Sequence, residues 1–130
     1  MAGRVVFFVS SGSFEPAFQA ASLGITAAAM GDEVYFVFSF EALREVARGS
    51  FGHASSEREI AESARADGLG VPRPQKMLEE ARSLGARLIA CDTTVKLCGY
   101  SEDELRRRLD EVMGLASIWR LTEGAKVVSV

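Results

Sequence analysis

The chain has 130 residues, 48% of them hydrophobic and 25% charged, with a formal net charge of -3 and a pI near 5.2. A chain of this length forms a single domain, 1–130, that buries roughly two-thirds of its unfolded surface. The acidic balance argues against general nucleic-acid binding, which draws on clustered Lys and Arg. The one basic cluster, Arg106-Arg107-Arg108, lies among Glu102, Asp103, Glu104, Asp110 and Glu111 and reads as a solvated, ion-paired face.

Arg4 to Val9 is β-branched, aromatic and apolar, which predicts a strand covered on both faces. Its apolar stretch is too short, and lacks a small-residue cleavage site, to be a secretory signal. Ser10-Ser11-Gly12-Ser13 follows, then an Ala- and Leu-rich helix over Glu15–Met30 with Pro16 in its first turn and Gly31 as its stop. The longest apolar-rich run, Ala17 to Met30, holds Gln19 and Thr26 and is too short to span a bilayer. A cytoplasmic protein with no membrane span is expected. Because the helix is apolar almost all round, burial on more than one side is expected, extending to a subunit contact.

Glu33 to Phe38 predicts a second strand, parallel to the first because a helix separates them. A short helix over Phe40–Arg48 carries Leu43, Val46 and Ala47 on one face. The stretch 49–73 changes character, with Gly49, Gly52, Gly68, Gly70, Ser50, Ser55, Ser56 and Pro72 around a short charged helix at Glu57–Ala66. It reads as a mobile excursion over the surface.

Met77, Leu78, Ala81 and Leu84 predict a helix over Pro74–Leu84, closed by Gly85. A third strand, Arg87–Ala90, delivers Cys91, and a short helix over Thr94–Leu97 follows. Ser101-Glu102-Asp103-Glu104 resembles a capping box. The spacing of Leu105, Leu109, Val112, Met113, Ala116 and Trp119 then reads as helical, with Gly114 breaking or kinking it. Lys126–Val130 is a final strand. Alternating strands and helices give an α/β class: a three-layer sandwich around a mostly parallel sheet.

Chemistry concentrates at Cys91. A thiol where a strand ends and a helix begins meets unpaired N–H groups and the positive end of the helix dipole, both of which favour the reactive thiolate. Asp92 beside it works in the opposite direction. The other reading is a small buried core residue. Cys98 stands seven residues on, about 10 Å away if the segment is helical, too far for a disulfide; core packing accounts for it. Two cysteines in a chain of this kind read as free thiols.

Thr93, Thr94 and the N–H groups after Cys91 could hold an anion, and Ser11 and Gly12 in the first loop could line the same sheet-end pocket. That loop fits neither GxGxxG nor GxxxxGK[ST], so a plain turn with an N-cap competes with it. His53, the sole histidine, is either an exposed loop residue or a partner to Cys91, and no metal-ligand spacing includes it. Trp119 and Phe40 read as core or subunit-interface anchors.

In the order of its pieces the chain resembles the DsrE/DsrF-like sulfur-relay family, particularly its DsrE-like, peroxiredoxin-annotated branch. The resemblance rests on Ala27-Ala28-Ala29-Met30-Gly31-Asp32-Glu33-Val34 leading to Phe38-Ser39-Phe40. Val71-Pro72, the helix Met77 to Gly85, Ala90-Cys91 and the tail Glu111 to Ser117 complete it. It implies a fold related to flavodoxin in layering, homo-oligomers, and a cysteine, Cys91, that carries sulfur as a persulfide without a cofactor. Rhodanese-like and Tus-type sulfurtransferases are the partners it implies. The excursion departs from the branch by lacking a Met- and Pro-rich composition. The competing readings are a non-catalytic oligomeric module that binds a ligand or partner at the sheet end, and a nucleotide or flavin domain built on the Ser10–Ser13 loop.

Overall fold

The structure is a computed structural model and describes residues 3–130. Its strands are β1 (Arg4–Val9), β2 (Glu33–Phe38), β3 (Arg87–Cys91), β4 (Glu111–Met113) and β5 (Lys126–Ser129). They form one sheet in the order β4-β3-β2-β1-β5, and every neighbouring pair is parallel. The helices are α1 (Phe14–Ala29), α2 (Phe40–Arg48), α3 (Glu57–Gly68), α4 (Pro74–Ser83), α5 (Asp92–Cys98), α6 (Glu102–Leu105) and α7 (Leu115–Leu121). This is the α/β architecture expected of alternating strands and helices.

Side chains alternate along each strand, so each face of the sheet receives every second residue. Val5, Phe7, Val9, Val34, Phe36, Phe38, Leu88 and Ala90 face the larger core, together with buried residues of α1, α2, α4, α5 and α6. Val6, Val37, Ile89 and Cys91 face the other side, where α7 is the helix that supplies a buried side chain, Ile118.

The two faces differ because of the chain's route. The connections β1–β2, β2–β3 and β3–β4 carry their helices over the first face, and the β4–β5 connection carries α7 over the second. A seven-residue helix is about 10 Å long. The sheet it must cross, from β4 at one edge to β5 at the other, measures about 19 Å at the usual strand spacing. The second face is therefore lightly covered.

The first face is packed tightly. Phe7 and Phe36 stack at 5.2 Å between ring centroids, Phe36 and Phe38 at 6.0 Å, and Phe51 meets Phe38 edge-on at 5.6 Å. Gly24 of α1 lies directly over Phe36, where a Cβ would run into the ring, so helix and sheet approach more closely than alanine allows.

The expected helix through Val112 and Met113 is corrected. Glu111–Met113 is an edge strand, with Cys91 paired to Met113 across the ladder. Its period is two: Val112 packs toward the first face and Met113 toward the second. Asp110 fixes the entry, its carboxylate accepting from the Leu88 N–H at 2.7 Å and from Arg82 at 2.9 Å. Gly114 is the N-cap of α7 in extended conformation, ending the strand rather than kinking a helix.

The 49–73 segment is more firmly attached than its composition suggests. Phe51 is buried in the aromatic stack, His53 bridges to Ser13, and buried Glu59 of α3 accepts from the Glu15 N–H at 3.0 Å. Glu59 thus satisfies a donor at the start of α1 that would otherwise lack a partner. The Glu15 N–H lowers the Glu59 carboxyl below its ordinary value, burial opposes this, and the Ser55 N–H and hydroxyl reinforce the lowering. Sequence spacing gave no sign of this clasp because its partners are 44 residues apart.

Candidate functional site

Cys91 is the last residue of β3 and the N-cap of α5. Alternation along β3 turns Ile89 and Cys91 to the lightly covered face, while Leu88 and Ala90 turn to the large core. Cys91 is buried, at 8% exposure, yet it lines a cavity of about 320 Å³. That volume falls at the small end of the range for small-molecule pockets.

Phe8, Val37, Phe40, Leu115 and Ile118 form the apolar wall of the cavity. Ser39, Thr93 and Thr94 are its hydroxyl-bearing lining residues, and no lining residue carries a charge. Thr94 is buried and Thr93 exposed. Asp92, next to the thiol in sequence, is engaged at 3.1 Å by Lys96 one turn on.

Phe40 is the one non-glycine residue with positive φ among the described residues, at 47°. An aromatic residue in that region is an outlier. Phe40 is also half-exposed, at 49%, while α2 behind it is anchored by buried Ala42, Leu43 and Val46. Packing of the rest of the helix holds the backbone there, and the ring lines the cavity instead of entering the core.

Of the residues singled out from the sequence, Cys91, Thr93 and Thr94 meet at this cavity; Ser11 and Gly12 do not line it. Their loop is occupied internally: the Gly12 N–H donates to Glu41 at 2.7 Å and the Ser11 hydroxyl to the same oxygen at 3.4 Å. A carboxylate already sits where an external anion would have to bind. Gly12 has a packing role as well, since a Cβ there would meet Glu45 Cγ at 2.6 Å.

His53 lies elsewhere, its Nδ1 at 3.3 Å from Glu45, whose other contacts are Ser50 and Arg48. It does not border the Cys91 cavity. Cys98 ends α5 with Arg44 at 3.7 Å, and both cysteines are free. Trp119, expected as a core or interface anchor, is 73% exposed, because α7 uses Ile118 as its buried contact.

The site residues that sequence reading missed are Phe8, Val37, Ser39, Phe40, Leu115 and Ile118. Alternation puts Phe8 and Val37 on one face each, but only the parallel register, Phe8 to Val37 and Val37 to Ile89, places them beside the cysteine's side of the sheet.

Comparison with known proteins adds the fold. Two solved structures match over almost the whole chain. A conserved protein of unknown function from Bacteroides thetaiotaomicron, BT1422, has a TM-score of 0.65 at 12% identity, covering 98% of this chain and 94% of its own. A protein of unknown function from Methanobacterium thermoautotrophicum, MTH1491, has a TM-score of 0.64 at 18% identity, covering 98% and 99%. Both share this chain's fold. No family model matches the sequence, and no curated protein does. Among the described residues, no helix is long and apolar enough to cross a membrane.

Proposed function

We propose that this protein carries sulfane sulfur as a persulfide on Cys91, in the manner of the DsrE/DsrF-like relays its sequence resembles. The observation that carries the reading is a thiol at the carboxyl end of β3 that opens onto a cavity, rather than being sealed among hydrocarbon. Carboxyl ends of strands are where open α/β sheets hold ligands and reactive groups.

In the loading step, the Cys91 thiolate attacks the outer sulfur of a donor persulfide, R–S–SH. A Cys91 Sγ–S bond forms, the donor's S–S bond breaks, and the donor leaves as the thiolate R–S⁻. The proton stays on the transferred sulfur. In the unloading step an acceptor thiolate attacks that outer sulfur, and Cys91 is released as a thiolate. Both steps are exchanges at sulfur with no net oxidation, so no cofactor is required. In this reading the hydroxyls of Thr93 and Thr94, which line the same cavity, donate hydrogen bonds to the anionic sulfur.

Rhodanese-like or Tus-type sulfurtransferases are the relay partners proposed, and assembly into homo-oligomers is part of the same reading. The test is intact mass after incubation with a persulfide donor. The wild type gains one sulfur atom, which an added acceptor thiol removes, and Cys91→Ser gains none. A wild-type mass unchanged by the donor rejects the reading.

The cavity also supports a second reading, a non-catalytic module that binds a small apolar ligand there. Complete inertness of Cys91 toward small alkylating reagents, in a folded protein that binds an apolar probe, favours it.

A further inference from the structure

The lining of the Cys91 cavity constrains the sulfur donor. Resting on the persulfide reading of Cys91, we infer that the preferred donor is an organic persulfide whose R group is uncharged and apolar, selected by the ring of Phe40 and the side chain of Leu115. Three features of the site carry this.

The first is charge. A dianionic donor such as thiosulfate, or a peptide persulfide with several carboxylates, must shed water to reach the thiol of Cys91, a residue that is 8% exposed. The lining residues offer it no Lys or Arg in exchange. Burying an unpaired charge is strongly unfavourable, whereas burying hydrocarbon against Phe8, Phe40 and Leu115 is favourable.

The second is the division of the cavity. Ser39, Thr93 and Thr94 are the hydroxyl-bearing residues that border it, and apart from Cys91 the other lining residues are hydrocarbon. A persulfide with a polar S–SH end and an apolar R group matches both parts.

The third is Phe40. Its ring is held at the cavity by a backbone with φ of 47°, a conformation that bulky residues rarely adopt. Strain of this kind at a site is a sign of function when the surrounding structure enforces it, as α2 does here. Leu115, 61% exposed on α7, forms the rim on the opposite connection of the fold.

The test compares initial rates of Cys91 loading by three donors: benzyl persulfide, glutathione persulfide and thiosulfate. Each rate is divided by that of the same donor with a small free thiol, to remove intrinsic reactivity. The expected result is a preference of tenfold or more for benzyl persulfide, in line with what an apolar pocket confers, roughly 10–200-fold. Leu115→Lys, a change at an exposed position, narrows that preference by raising the rates of both anionic donors. Phe40→Ser lowers the benzyl rate and leaves thiosulfate unchanged. Equal normalised rates for the three donors in the wild type overturn the inference while leaving the carrier reading intact. Failure of every donor to load the folded protein overturns both.

Discussion

The two faces of the sheet are built to different standards. The first lies under α1, α2, α4, α5 and α6, with a continuous aromatic stack from Phe7 to Phe51 and a helix packed so closely that Gly24 admits no Cβ. The second depends on one seven-residue helix whose buried anchor is Ile118, and its C-terminal corner holds an apolar cavity around a thiol. The contrast separates tasks. Dense packing supplies stability at the centre of the first face, and incomplete cover leaves a cavity beside the thiol on the second.

Substitutions can break or sharpen that contrast. The largest effect is expected at the centre of the dense face: Phe36→Ala destabilises by about 3–5 kcal/mol, through lost burial and the cavity left behind. Urea denaturation checks it. Gly24→Ala, which raises helix propensity, nevertheless destabilises by about 1–3 kcal/mol because the methyl collides with the Phe36 ring. A gain in stability there would show that the close approach of α1 to the sheet is wrong.

Glu59→Gln costs about 1 kcal/mol, the usual loss when a charged helix cap is weakened. Its pH dependence has a definite sign. The folded protein lowers this carboxyl, so its contribution is complete above the ordinary value of 4.5 and disappears as pH falls through the lowered one. Thermal melts between neutral pH and about pH 3 should therefore show the wild type and Glu59→Gln converging in acid. The smallest effect belongs to the light face, where Trp119→Ala changes stability by less than about 0.5 kcal/mol despite removing the chain's single tryptophan. A loss of several kcal/mol there would mean that α7 is held by more than Ile118.

Much of the architecture was legible in the sequence. The apolar runs at Arg4–Val9 and Glu33–Phe38, and the spacing of Met77, Leu78 and Ala81, mark their elements because a strand buried on both faces and an amphipathic helix have distinct patterns. The pattern failed at Glu111–Met113. Three residues are too few to display a period, and flanking Leu109 and Ala116 happen to continue a helical spacing; sheet pairing to Ile89–Cys91 decides the matter. Tertiary contacts also decided the 49–73 segment, whose glycines and serines conceal the anchors Phe51 and Glu59.

At the site, the thiol and its neighbours Thr93 and Thr94 were readable because strand end and helix start are local signals. At Ser11 and Gly12 a Gly/Ser turn looks open to an anion until the fold delivers Glu41, 30 residues from Ser11, to the Gly12 N–H and the Ser11 hydroxyl. The apolar wall could not be read at all, since Phe8, Val37 and Ile118 come from three elements brought together by sheet register and by the path of α7.

The central claim is tested most directly by locating the transferred sulfur. After exposure of the folded wild type to a persulfide donor, the added atom should map by tandem mass spectrometry to the peptide containing Cys91 and be absent from Cys98, whose thiol ends α5 beside Arg44. Sulfur on Cys98 alone, or on neither cysteine, would contradict the assignment of the carrier thiol to the cavity on the light face.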